Sequence, residues 1–404
     1  MRKMPRQGLD VRTVARAADG AMPPLEGLLA GLRLAVGTGN AGEHRAALSG
    51  VTDWTAVANL AAYHRVAGLF LRGLRNGGAR LPDPAVERDL AERRKQDTLR
   101  GMRQLNAMGR MTAGLADRGI PSLILKGLPL GQRLYGSPFA KSSIDIDLLV
   151  PAGAFEAAGR VLGELGCRRA TADFRETPAR MRWYDAVRKD RVYVGSGSKI
   201  ELHRRLLDNP FLFDPPFDRL DAEALTVDIG SARFRTLGDA DQLLYLACHG
   251  SVHSWQRLKW LCDAAGLLRS MDDASAHRAA ARGREEQLEQ VLAPMLRLCR
   301  EDLLVELPEP VAALGRDSPR VRFVVGLSRR AWTAPEGLRQ LMWKAAMRVG
   351  RLFLHGSVRY SLLVRGLPIR RHDLSGVEPP GRLFWFYALA RPLLRALHRL
   401  RKAV

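Results

Sequence analysis

Apolar and polar positions recur with two different periods along this chain, and the change of period divides it. From Pro24 to Arg75, Leu25, Leu28, Leu29, Leu32 and Leu34, and then Trp54, Val57, Leu60 and Ala61, repeat at the spacing of helices buried on one face. Gly77-Gly78, followed by Pro82 and Pro84, breaks that run. A long polar helix is predicted next, from Pro84 to Arg118, with Leu90, Leu99, Met102, Leu105, Met108 and Met111 along one side as core. At Gly119 the period shortens. Pro121 to Leu125 and Ile144 to Val150 are apolar runs of strand length, and Leu128 to Tyr135 between them reads as a helix. Ala152 to Leu165 is a further helix. Arg191–Val194 and Lys199–His203 flank Gly195-Ser-Gly197-Ser as a hairpin, and Ala224 to Phe234 is a short alternating stretch. After Asp239 helical spacing returns: Ala240–His253, Ser254–Ser270, segments through about Leu304, Arg320–Arg330, Glu336–Leu354, and a last basic stretch, Leu383–Arg401.

This pattern predicts an α+β chain: a mixed-sheet unit over 119–235 between helical regions at 23–118 and 236–404, with a basic, disordered stretch at 1–22. The 404 residues suffice for two or three domains. Cys167, Cys248, Cys262 and Cys299 are too scattered for a disulfide framework or a CxxC zinc site, which fits a reducing cytoplasm. No uncharged apolar run reaches the roughly 18–20 residues that cross a bilayer, and the N-terminus has no secretory apolar core. The net charge is +22, unevenly placed. Residues 116–232 carry 17 Lys and Arg against 16 Asp and Glu, whereas 330–404 carry 15 against 3. The basic surplus lies on the flanks, where it suits nucleic acid or an anionic membrane surface, so a location in the cytoplasm, peripheral to membrane, is open. Leu383–Arg401 fits such a surface helix, or a cap on the helical bundle.

The candidate chemistry lies in the near-neutral unit. Asp145 and Asp147 are separated by one residue on a strand, so their carboxylates share one face of a segment that otherwise asks for burial. Packing gives no reason to bury two like charges, and a divalent cation would compensate them. Lys199-Ile-Glu201-Leu-His203 offers a third carboxylate on another strand, with His203 on the same face as Glu201. Three acids on neighbouring strands suit Mg2+ ions, two of which would clamp the oxygens of an in-line displacement. His249 and His253 stand one helical turn apart, but Gly250 occupies the place where a zinc hydrolase motif needs Glu. Lys259 and Asp263, also one turn apart, are expected to form a helix-surface ion pair.

An apolar strand into Leu125-Lys126-Gly127, a helix, a turn, the acidic strand Asp145-Ile-Asp-Leu-Leu-Val150 and the strand Glu201-Leu-His203 together resemble the uncharacterised nucleotidyltransferase family of the DNA polymerase β-like superfamily. The resemblance takes in Trp54–Leu71 upstream, and His249–His253 and Leu258–Asp263 downstream, about residues 50 to 270. It implies a small polymerase β-like mixed-sheet core. It implies that Asp145, Asp147 and Glu201 ligate two Mg2+ ions, that Glu201 helps deprotonate an acceptor hydroxyl, and that NTP is the co-substrate. Lys126 and Gly127 stand where the superfamily places a Gly-Ser pair at the nucleotide phosphates. Lys141 replaces the usual arginine four residues before the first aspartate, and Ser142 and Ser143 are shifted one place from the usual polar neighbour, here Ile144. These side chains and His203 are the nucleotide-contact candidates.

The activity so implied is transfer of a nucleoside monophosphate from ATP or another NTP to an acceptor, with release of pyrophosphate. The acceptor classes are a small hydroxylated compound, a peptide or protein side chain, and an RNA end. Two rivals stand beside it: γ-phosphoryl or glycosyl transfer from a nucleotide donor, and a non-catalytic module binding RNA or a protein partner through its basic surface.

Overall fold

The computed structural model describes residues 21–170, 181 and 188–334. The basic N-terminal stretch, the expected helix at 336–354 and the Leu383–Arg401 segment lie outside the described residues. The N-terminal helices are α1 (Pro24–Val36), α2 (Ala41–Ser49), α3 (Trp54–His64) and α4 (Ala67–Asn76). The Asp53 carboxylate accepts the Ala56 N–H at 2.8 Å and starts α3. The helical spacing expected to run from Trp54 to Leu71 is interrupted at Arg65, which adopts φ 59° and turns the chain into α4. α1 and α4 meet backbone to backbone: a Cβ on Gly73 would lie 1.7 Å from the Gly31 carbonyl oxygen. Then α5 (Pro84–Ala116), opened by Asp83 accepting the Ala85 N–H at 2.7 Å, crosses the molecule in one piece.

The sheet has seven strands: β1 (Leu123–Ile124), β2 (Asp145–Leu149), β3 (Arg168–Arg169), β4 (Asp190–Gly195), β5 (Ser198–His203), β6 (Leu225–Ile229) and β7 (Ala232–Thr236). Their order is β3-β4-β5-β2-β1-β7-β6, so β2 is central. β2 runs parallel to β5 and antiparallel to β1, β1 runs parallel to β7, and the remaining pairs are antiparallel. The short alternating stretch Ala224–Phe234 falls in a β6–β7 hairpin turning at Gly230, whose φ of 61° makes the tight reversal. Between strands run α6 (Leu128–Tyr135), α7 (Phe155–Glu164) and the short α8 (Phe217–Ala222).

The C-terminal helices follow: α9 (Asp239–Val252), α10 (Leu258–Ser270), α11 (Asp273–Glu285), α12 (Glu289–Asp302), the short α13 (Glu309–Ala312) and α14 (Pro319–Thr333). Strand alternation sorts the sheet into two faces with two cores. Ile146, Leu148 and Val150 from the central strand, with Ile200 and Leu202 from β5, pack against Met108, Met111 and Leu115 of α5 and Val161 and Leu162 of α7. The other face, with Leu123 and Leu149, belongs to a second core that joins the N-terminal and C-terminal helices. Because successive side chains alternate, Asp145 and Asp147 share that second face with Leu149. No described helix is long and apolar enough to cross a membrane.

Candidate functional site

Strand register assembles the acids. The β2–β5 pairing sets Asp145 opposite Lys199, Asp147 opposite Glu201 and Leu149 opposite His203. β4 adds Asp190 opposite His203 and Val192 opposite Glu201. Three adjacent strands therefore present one row of charge beneath the helices of the larger core. Asp147 is 2% exposed and His203 fully buried, whereas Asp145 and Glu201 are half-buried. Single ligand atoms of Asp147, Glu201 and His203 all lie within 4.8 Å of one another. His203 Nε2 is 3.2 Å from Asp147 Oδ1 and 3.6 Å from Glu201 Oε2.

Ammonium groups neutralise this row. Lys126 reaches in from the turn before α6, bonding Asp147 and standing 3.5 Å from Asp145. Lys189 Nζ lies 3.4 Å from Glu201 and 3.6 Å from Asp190. Lys199 bonds Glu201 at 2.5 Å and stands 3.9 Å from Asp145. Three lysines thus face Asp145, Asp147 and Glu201. Burial alone would raise the carboxyls of Asp147 and Glu201. The Lys126 ammonium for Asp147, and the His203 hydrogen bond and Lys189 for Glu201, hold both well below the usual carboxylate range. For His203, burial and Lys189 oppose the charged form, but its hydrogen bonds to Asp147 and Glu201 raise it. Lys126 and Lys189 are likewise raised, because the surrounding acids outweigh their desolvation.

Gly127 supplies the geometry that brings Lys126 in. It starts α6 at φ 85° and ψ −128°, a conformation that disfavours any side chain, and a Cβ there would meet the Ser143 hydroxyl at 3.2 Å. No side chain among the described residues caps the α6 N-terminus, so the first-turn N–H groups, apart from Pro129 which has none, have no side-chain acceptor there. The turn residues before β2 are held differently from one another. Lys141 is buried against Asp263 of α10, so Asp263 does not pair with Lys259, as its spacing had suggested. The Ser142 hydroxyl donates to Asp97 of α5 at 2.9 Å, and that of Ser143 to the Asp145 backbone carbonyl at 3.0 Å. These contacts clamp the loop between α5, α10 and the acidic strand.

Two contributors escaped the sequence reading. Lys189 precedes a strand with no motif to mark it. Tyr245 sits in the apolar run of α9; it is fully buried, its hydroxyl has no hydrogen-bond partner among the described residues, and its electrostatic neighbours include Asp147, Lys126, Lys189 and Glu201. Such a buried orphan hydroxyl beside an acid cluster fits a bound ion's water or a ligand oxygen. The signal available was a tyrosine within Leu243–Cys248, where apolar residues would suffice. One turn on, His249 lies 5.7 Å from the Tyr245 ring and 5.0 Å from His253, which stacks on Trp260 at 4.7 Å. The two histidines therefore form an aromatic wall beside the acids, and burial together with His253 keeps His249 well below its ordinary value.

The donor set suits a divalent cation. Hard carboxylate oxygens converge on a buried point, and the Lys126 ammonium stands between Asp145 and Asp147 as a cation drawn from the chain itself. Among the described residues, Asp147, Glu201 and His203 form the group with metal-binding spacing. A sequence model of the family described as "Uncharacterised nucleotidyltransferase" matches residues 50–303, which takes in α3 through α12 and every side chain of the acid row. No curated protein matches the chain.

Proposed function

Because the chain belongs to the uncharacterised nucleotidyltransferase family, we propose that it transfers the nucleoside monophosphate of an NTP to an acceptor hydroxyl on a polymerase β-like core. The observation that carries this reading is the register of β2 on β5, which sets Asp145, Asp147 and Glu201 side by side. In this reading Asp145, Asp147 and Glu201 hold the divalent cations, with two Mg2+ ions as the starting expectation. Bound there, the ions neutralise charge on the triphosphate and polarise the α-phosphoryl group. The acceptor oxygen attacks the α-phosphorus, the bond from that phosphorus to the α–β bridging oxygen breaks, and pyrophosphate leaves. The acceptor's proton passes to the Glu201 carboxylate.

The lysines support a nucleotide in particular. Each acid already has an ammonium beside it. Lys126, Lys189 and Lys199 would be freed from the acids if divalent cations were bound there, and phosphate oxygens are the natural partners for the ammonium charge so released. Gly127 lets backbone approach the phosphates at the open N-terminus of α6. Lys141, Ser142 and Ser143 serve by fixing the loop that aims Lys126 and Gly127, through the contacts to Asp263, Asp97 and the Asp145 carbonyl.

Wild type and the Asp145→Ala, Asp147→Ala double variant, incubated with Mg2+, α- or γ-labelled NTP and candidate acceptors, test this. The expected outcome is pyrophosphate release and acceptor labelling from the α position only, with the double variant lower by at least about 10³-fold. Label arriving only from the γ position would replace nucleotidyl transfer by phosphoryl transfer. Function unaffected by the double change would leave a binding module.

A further inference from the structure

The carboxylates explain a cation, but they do not explain His203. Its position on β5 follows Ile200 and Leu202 on the opposite face, and it is fully buried with no opening of its own. Lys126, Lys189 and Lys199 already stand by Asp147 and Glu201, so charge balance requires no further cation there.

The imidazole's two nitrogens have different surroundings. Nδ1 lies 3.3 Å from the Arg205 backbone carbonyl, an acceptor, so Nδ1 is the nitrogen that donates a proton. Nε2 is left facing Asp147 at 3.2 Å, Glu201 at 3.6 Å and the Lys189 ammonium at 3.4 Å. Without an ion, Nε2 faces those carboxylates as a donor; a cation placed among the three atoms takes the place of that proton. A ring whose outer N–H is anchored on a carbonyl while its inner nitrogen points at two carboxylates is the arrangement that orients metal-bound histidines. Ligand bonds of about 2.0–2.2 Å place neighbouring ligand atoms about 3–4 Å apart. The 3.2 and 3.6 Å separations fall in that range, and the whole group lies within 4.8 Å. Asp145 stands outside this group, with Lys126 at 3.5 Å and Lys199 at 3.9 Å.

We propose that the inner cation position is a mixed nitrogen–oxygen site, formed by His203 Nε2, Asp147 and Glu201, that takes a first-row transition ion such as Mn2+, Co2+ or Zn2+ in preference to Mg2+. The proposal rests on Asp147 and Glu201 being metal ligands, as the function above requires, and it changes which ion they hold. Imidazole binds Mg2+ poorly, and its affinity rises along the first-row series. The outer position at Asp145 offers only oxygen and remains suited to Mg2+ carried by the nucleotide.

The test loads the full chain with Mn2+, without nucleotide, and reads pulsed electron paramagnetic resonance for coupling to an imidazole ¹⁴N. The expected result is a nitrogen coupling in wild type that disappears in His203→Gln, whose side-chain oxygen can stand near the place of Nε2. The same substitution should lower affinity for Mn2+ and Co2+ at least about 10-fold and for Mg2+ far less. The wild-type spectrum decides even where His203→Gln fails to fold. Mn2+ held through oxygen alone, or no bound Mn2+, overturns the proposal. Labelled-NTP turnover in Mg2+ is scored separately: turnover without nitrogen coupling defeats the mixed site alone, and nitrogen coupling without turnover defeats the transferase reading alone.

Discussion

Lys259 shows how a single residue takes its properties from the partners its neighbours have already claimed. Asp263, one turn along α10, is bound to Lys141, so Lys259 makes no ion pair among the described residues. Its ammonium lies 5.8 Å from the Trp260 ring centre. Burial, and then repulsion from Lys126, Arg65 and Lys141, pull its pKa down to about 7, against a small opposing pull from Asp145. In the unfolded chain a lysine titrates near 10.4. Between those values the unfolded state binds more protons than the folded state, so this group makes stability rise with pH across that window. Below about pH 7 both states are charged and the full penalty is present. Lys259→Met should therefore unfold at a higher temperature than wild type at pH 6–7, with the gap closing toward pH 10. A constant gap across that range, read from paired melting curves, would contradict this account.

At the scale of elements, the site is held by close approaches that leave no slack. Gly31 and Gly73 let α1 and α4 touch through their backbones, and a Cβ on Gly73 would fall 1.7 Å from a carbonyl oxygen that cannot move without its helix. Gly73→Ala is expected to cost at least about 1–3 kcal/mol, the usual range for overpacking, as a lower urea midpoint with unchanged slope. The elements themselves were largely legible in the sequence. Leu128–Tyr135 emerges as the helix the spacing predicts, and the strand at Ile144–Val150 shortens only to Asp145–Leu149. Two boundaries depart for local reasons: Arg65 takes a left-handed turn within an otherwise helical pattern, and Gly230 folds one alternating stretch into two strands. At the site, Asp145, Asp147, Glu201 and His203 are legible because strand alternation puts them on one face. Lys189 and Tyr245 are not, since their approach depends on how β4 and α9 are laid against that face, and no local period encodes it.

Over the whole molecule, the helices beyond the family match are part of the same packing. The match ends at residue 303, yet Trp332 of α14 is fully buried among the earlier helices. Its indole N–H donates to the Trp255 carbonyl at 2.9 Å. His64 Nδ1 accepts the Leu258 N–H, which leaves Nε2 to donate to the Trp332 carbonyl at 3.1 Å. Ser328 adds a bond to the Ser254 carbonyl at 2.9 Å. These contacts grip the corner at Ser254 and Trp255, both at positive φ, that joins the helices carrying Tyr245 and Lys259. Trp332→Ala should lower unfolding free energy by about 3–5 kcal/mol in urea titration, despite lying outside the matched segment. The near-neutral balance of the sheet unit reaches down to its centre, where three lysines face three carboxylates. An ion entering alone competes with these ammoniums, whereas phosphate arriving with it offers them a new partner, so nucleotide should tighten the centre's hold on a cation.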